Sequence, residues 1–146
     1  MSITPQTETA ADVLRKEWIG RLSLLVNDIE TWAKSFDWTV RRVDKSMKDS
    51  EIGSYRAPGL LLQKEFTRIL LDPISRTTPG SEGLVDLYIM PAFDDIASIY
   101  YHDRRWNVHY RMPNDETAAT LRDADGKPLT RETLAEILDK MSSHAA

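Results

Sequence analysis

There is no cysteine anywhere in the 146 residues. That absence excludes disulfides, thiolate zinc sites and cysteine nucleophiles together, and it suits a reducing cytoplasm. No apolar run approaches the length that spans a bilayer, and the start, "MSITPQTETAAD", has neither a basic end nor an apolar centre, so neither a membrane span nor a secretory signal is expected. A basic excess is also missing. Residues 1 to 73 carry 11 basic and 11 acidic side chains and residues 74 to 146 carry 8 and 12. Nucleic-acid affinity rests largely on Lys and Arg neutralising phosphates, so general DNA or RNA binding is not expected. There is no glycine-rich phosphate loop, dinucleotide fingerprint, metalloprotease helix or glycine-flanked serine elbow. No cofactor is expected from the sequence.

What is present is an ordinary globular composition, 41% apolar and 29% charged, with a net charge of −4. A chain of this length buries enough surface to be stable without covalent or metal staples, so one domain over 1–146 is expected, with 1–8 and 142–146 frayed. Leu14, Trp18, Leu22, Leu25, Ile29, Trp32 and Phe36 recur at spacings of three and four, which lines them on one face of a long amphipathic helix. Thr9 with Asp12 has the form of a capping box, and Thr4 before Pro5 offers an earlier start. A second stripe, Ile19, Val26 and Ala33, lies beside the first and marks the helix as a candidate dimerisation surface.

From Trp38 the apolar period shortens to two, and turn residues recur. Trp38–Val43 reads as a strand, "DKSMKDSEIGS" as a long mobile loop, "GLLLQ" (59–63) and "TRILL" (67–71) as a hairpin, and "DPISRTTPGSEG" (72–83) as a surface loop. Pro58 restricts its strand to an edge position or to a start after it. "LVDLYIM", "IASIYYH" and "WNVHYR" then read as a three-stranded meander. Residues after Pro113 hold a short helix or a last strand, and Thr130 caps a final helix with the stripe Leu134, Ile137, Leu138 and Met141. The sum is an α+β domain: a long N-terminal helix on a mostly antiparallel sheet of five or six strands, closed by a short helix.

Three groups of residues are candidates for function. The first is the carboxylates. Asp86 is the one polar position inside an apolar strand, and Glu65, Asp72, Asp94 and Asp95 are the acids that a divalent cation would need around it. "EGLVDLYIM" resembles the metal-binding strand of the restriction-endonuclease-like nucleases, and that resemblance implies a metal-dependent hydrolase or degenerate nuclease-like domain. In that family the next strand bears an acid, a spacer and a lysine. "IASIYYH" has neither acid nor lysine, so a cross-strand ion pair between Arg68 and Asp86 is the preferred expectation. The second group is His102 and His109 in the last hairpin, with an Arg104–Arg105 turn putting them on different rungs. The third is Arg104, Arg105, Tyr100 and His109 as a contact patch, since Arg and aromatic residues are enriched at interfaces. The leading expectation is a non-enzymatic module that binds a partner protein or a second copy of itself.

Overall fold

The computed structural model describes residues 8–110 and 126–145. Helix α1 runs Ala10–Ser35, and its first turn is closed by the capping box that Thr9 and Asp12 form. Thr9 Oγ1 accepts from the Asp12 N–H at 3.1 Å and Asp12 Oδ2 accepts from the Thr9 N–H at 3.2 Å, so two otherwise unpaired donors are satisfied. The alternative start at Thr4–Pro5 lies outside the described residues.

Seven antiparallel strands follow in strict sequence order: β1 Thr39–Asp49, β2 Gly53–Lys64, β3 Thr67–Ser75, β4 Leu84–Ile89, β5 Asp94–His102, β6 Arg105–Tyr110 and β7 Lys127–Pro128. Helix α2, Arg131–Ala145, completes the chain. The α+β architecture is as the periodicity predicts, with one strand more; the addition is the two-residue β7. The helix or strand expected after Pro113 otherwise falls on residues outside those described. Helix α2 extends to Ala145, and His144 near its end makes the contacts described below. No helix among the described residues is long and apolar enough to cross a membrane.

Both helices cover one face of the sheet. Trp18, Leu22, Leu25 and Ile29 of α1 are buried against Leu60, Leu62, Ile69, Leu71, Leu87 and Ile99, and α2 adds Leu134, Ile137, Leu138 and Met141 to the same core. Val26 and Ala33, expected to be free for a dimer, are also in this core. The second stripe therefore widens the buried face of α1 and is not a surface. Trp18 anchors the helix: its indole N–H donates to the Tyr55 hydroxyl at 2.9 Å. Gly83 has no side chain because a Cβ there would stand 2.5 Å from Trp18 Cζ3.

The stretch 44–54, expected as a mobile loop, is strand on both sides of a tight turn. Asp49 Oδ1 accepts from the backbone N–H of Glu51 and of Ile52, at 2.7 and 3.1 Å, and Gly53 takes φ +80°. An aspartate that hydrogen-bonds the backbone two residues on, followed by a left-handed glycine, turns the chain without a loop. Polar composition hid the strand because β1 is an edge with solvent along it. In β2 the buried positions change phase, from Tyr55 and Ala57 to Leu60 and Leu62. The change falls at Pro58–Gly59, where a Cβ on Gly59 would meet the Leu71 carbonyl at 2.7 Å. Pro58 lies in the half of β2 paired only with β1, since pairing with β3 starts at Leu60. The edge position expected for this proline is the one it occupies.

Candidate functional site

Strand alternation sends every second side chain to the face that neither described helix covers. Register decides which of these meet. Asp72 of β3 stands opposite Asp86 of β4, Asp86 opposite Ser98 of β5, and Ser98 opposite His109 of β6. Four polar residues thus form one row across four strands. Tyr88 and Tyr100 lie on the same face, one rung to either side of the row.

The Asp86 partner is not Arg68. Arg68 lies beside Met90, whose N–H donates to the Arg68 carbonyl at 2.8 Å, so it is too far along the ladder to face Asp86. The cation in the row comes from β1: Lys45 Nζ is 3.0 Å from Asp72 Oδ1, and it also donates to the Pro73 carbonyl at 3.0 Å. Sequence reasoning missed Lys45 by assigning it to a loop. Its place between Val43 and Met47, in an alternating run, was the available signal.

Two carboxylates therefore face each other across β3 and β4, and the one lysine near them pairs with Asp72. Asp86 Oδ2 accepts from the Tyr88 hydroxyl at 3.2 Å, and Ser98 also bonds this carboxylate. The other oxygen, Oδ1, is buried and has no hydrogen-bond partner among the described residues. Burial raises the Asp86 pKa above the ordinary 3.8, the Asp72 charge adds to the rise, and the bonds from Ser98 and Tyr88 and the charge of Lys45 only partly oppose it. Tyr88 is pushed well above the ordinary 10 by its own burial and then by the two aspartate charges. Its ring packs edge-on against Phe93, with centroids 5.7 Å apart, and Phe93 and Ile96 are themselves exposed.

The remaining candidates are dispersed. Glu65 sits exposed in the β2–β3 turn with φ +55°. Asp94 is exposed at the start of β5, where its Oδ1 accepts from the Asp95 N–H at 2.9 Å. Asp95 turns to the helix-covered side. Among the described residues no three acids or histidines converge as a metal ion would require. Arg104 is in the last hairpin turn, but Arg105 is not. The turn residues are Asp103 and Arg104, with φ of +55° and +62°, and Arg105 pairs with His102. Paired positive φ values favour Asp, Asn or Gly, which is why Asp103 takes the first turn position. The hairpin therefore pairs Tyr101 with Trp106 and Ile99 with Val108. His102 and His109 do lie on different rungs. Arg104 and Arg105 are exposed and form no ion pair with a described residue. Tyr100 is buried beneath Gly126, where a Cβ would stand 1.8 Å from its hydroxyl.

A second cluster, which no local pattern announces, joins three elements. The Tyr110 hydroxyl donates to Asp95 Oδ2 at 2.6 Å, and His144 Nδ1 lies 2.9 Å from the same oxygen. The Tyr110 and His144 rings stack with an interplanar angle of 17°. Burial first, then the Asp95 carboxylate, drives the Tyr110 pKa well above 10. These contacts hold the end of α2, and their partners are 34 and 49 residues apart in the chain.

Fold and site together define an α+β domain whose meander sheet is covered by two helices on one side and presents a polar row with an aromatic margin on the other. No protein family, curated protein or solved structure matches the chain.

Proposed function

We propose that this domain is a non-enzymatic binding module of the cytoplasm, and that the open face of its sheet receives a partner protein through a lysine or arginine side chain. The observation that supports this most directly is the opposition of Asp72 and Asp86, with Lys45 as the cation that pairs with Asp72. The pair lacks one positive charge, and a partner's ammonium or guanidinium group would supply it. A charge-assisted bond of this kind is stronger than a neutral one and is directional when it comes from arginine. Exposed Phe93 and Ile96, beside Tyr88, give such a partner apolar area next to the charged centre. Interfaces built around a small number of aromatic and charged anchors obtain most of their affinity there.

The test is recovery of a partner from the native cell extract on immobilised domain, comparing wild type with the double variant Asp72→Asn/Asp86→Asn. Loss of one defined partner, with the circular dichroism spectrum unchanged, supports the open face. Equal recovery from the double variant, together with loss from Arg104→Glu/Arg105→Glu, moves the contact to the hairpin and defeats the proposal.

A further inference from the structure

Phe66 is the most exposed large apolar residue among those described, at 102% of its reference surface. It occupies the two-residue turn between β2 and β3, next to Glu65, and its ring projects into solvent. Phe66 is itself part of the wall of an open pocket of about 280 Å³, which Trp38, Lys64, Glu65, Thr67, Asp139 and Ser142 also line. That volume is at the small end for ligand sites and suits a single side chain more than a metabolite. A projecting ring and a pocket that adjoin on one surface are self-complementary: a two-fold axis between two copies places each ring in the other copy's pocket.

The charges repeat the pattern. Lys64 Nζ donates to the Phe36 carbonyl at 3.0 Å, a neutral group, so its charge is unanswered among the described residues. Glu65 and Asp139 form no ion pair among the described residues. One cation and two anions thus edge the same pocket, and two-fold rotation brings Lys64 of one copy towards Glu65 or Asp139 of the second. A lone exposed phenylalanine needs no explanation, but an exposed phenylalanine on the wall of an open pocket with charges of both signs at its edge does. We infer that the chain forms a symmetric dimer in which Phe66 of each copy fills the pocket lined by Trp38 of the other. This interface lies on the β2–β3 turn and α2, and it does not depend on the open-face reading.

Sedimentation equilibrium over a wide concentration range reads the outcome directly. Wild type is expected to show a monomer–dimer equilibrium. Phe66→Ala should weaken it by about a hundred-fold or more, because each dimer loses two buried rings. The ring is fully exposed within one copy, so the fold of that variant, and its melting temperature at concentrations where wild type is monomeric, should be unchanged. Lys64→Glu and Glu65→Lys should each weaken self-association, and an equimolar mixture of the two should associate more tightly than either alone, since opposite charges then meet at both contacts. A wild type that stays monomeric at about 1 mM, a Phe66→Ala dimer as tight as wild type, or a mixture no tighter than its components would each overturn the inference.

Discussion

Replacing Asp86 with asparagine should stabilise this protein at neutral pH, although a half-buried hydrogen-bonding residue is being changed. At neutral pH wild type holds two carboxylates opposite each other on β3 and β4, and Lys45 reaches only Asp72. Directly opposed like charges on neighbouring strands cost up to about 1 kcal/mol. Asparagine removes that repulsion and keeps a carbonyl to accept from Tyr88 and Ser98. A gain of about 1 kcal/mol corresponds to roughly 3 °C in melting temperature for a domain of this size. The effect carries a definite pH sign. Because the Asp86 pKa is raised above 3.8 on folding, the native state holds this proton more tightly than the unfolded chain does. The stability linked to it is complete below 3.8 and is lost as pH rises through the folded-state value. Wild type should therefore close the gap to the variant as pH falls from about 7 towards about 4. Calorimetric melts of both proteins across that range are the assay. An asparagine variant that melts below wild type at neutral pH, or a gap that does not narrow on acidification, refutes the reasoning. Asp72→Asn is the informative control, since it relieves the same repulsion but forfeits the Lys45 contact at 3.0 Å, and the two effects should nearly offset.

Trp18→Phe removes the indole donor to the Tyr55 hydroxyl and leaves a gap beneath Gly83; urea denaturation should show a loss of about 2–3 kcal/mol, and a loss near zero would deny Trp18 its anchoring role. Thr9→Ala should cost about 1 kcal/mol and speed amide exchange in the first turn of α1, whereas Thr9→Ser should retain both the stability and the protection. Tyr110→Phe deletes the 2.6 Å bond to Asp95 and should cost about 1–2 kcal/mol, with faster exchange confined to the last turns of α2. In a spectrophotometric titration, Tyr88 and Tyr110 should remain un-ionised at an alkaline pH where a free tyrosine has lost its proton, and ionisation of both near the ordinary 10 would contradict the burial that raises them.

Elements whose rule is local can be read from the sequence alone. The stripe from Trp18 to Ile29, the Thr9 and Thr130 caps and the alternation of β4 to β6 each depend on neighbours a few residues away, and each is found in place. The second half of β1 is not legible in this way, because a strand paired on one side needs no apolar face and its turn is made by one aspartate with one glycine. The candidate site shows the same division. Asp86, Tyr100 and His109 can be assigned to one sheet face from alternation alone. Which residue opposes Asp86 depends on register, and a displacement along β3 is what separates an arginine partner from an aspartate one. The contacts of Asp95 with Tyr110 and His144 belong to tertiary structure only, since nothing within a few residues of His144 points to β5.

The strict sequence order of the strands also determines when the core can close. Each strand pairs with the one just before it, so the sheet can assemble hairpin by hairpin as the chain leaves the ribosome, with short loops to close at most steps. Helix α2 is the exception. Arg131 reaches Ser35 across 96 residues, and Leu134, Ile137, Leu138 and Met141 complete a core whose other walls are already made. Until α2 has docked, α1 and the meander must hold an apolar berth open to water, and the docking of that helix is the step that seals the core against wrong partners.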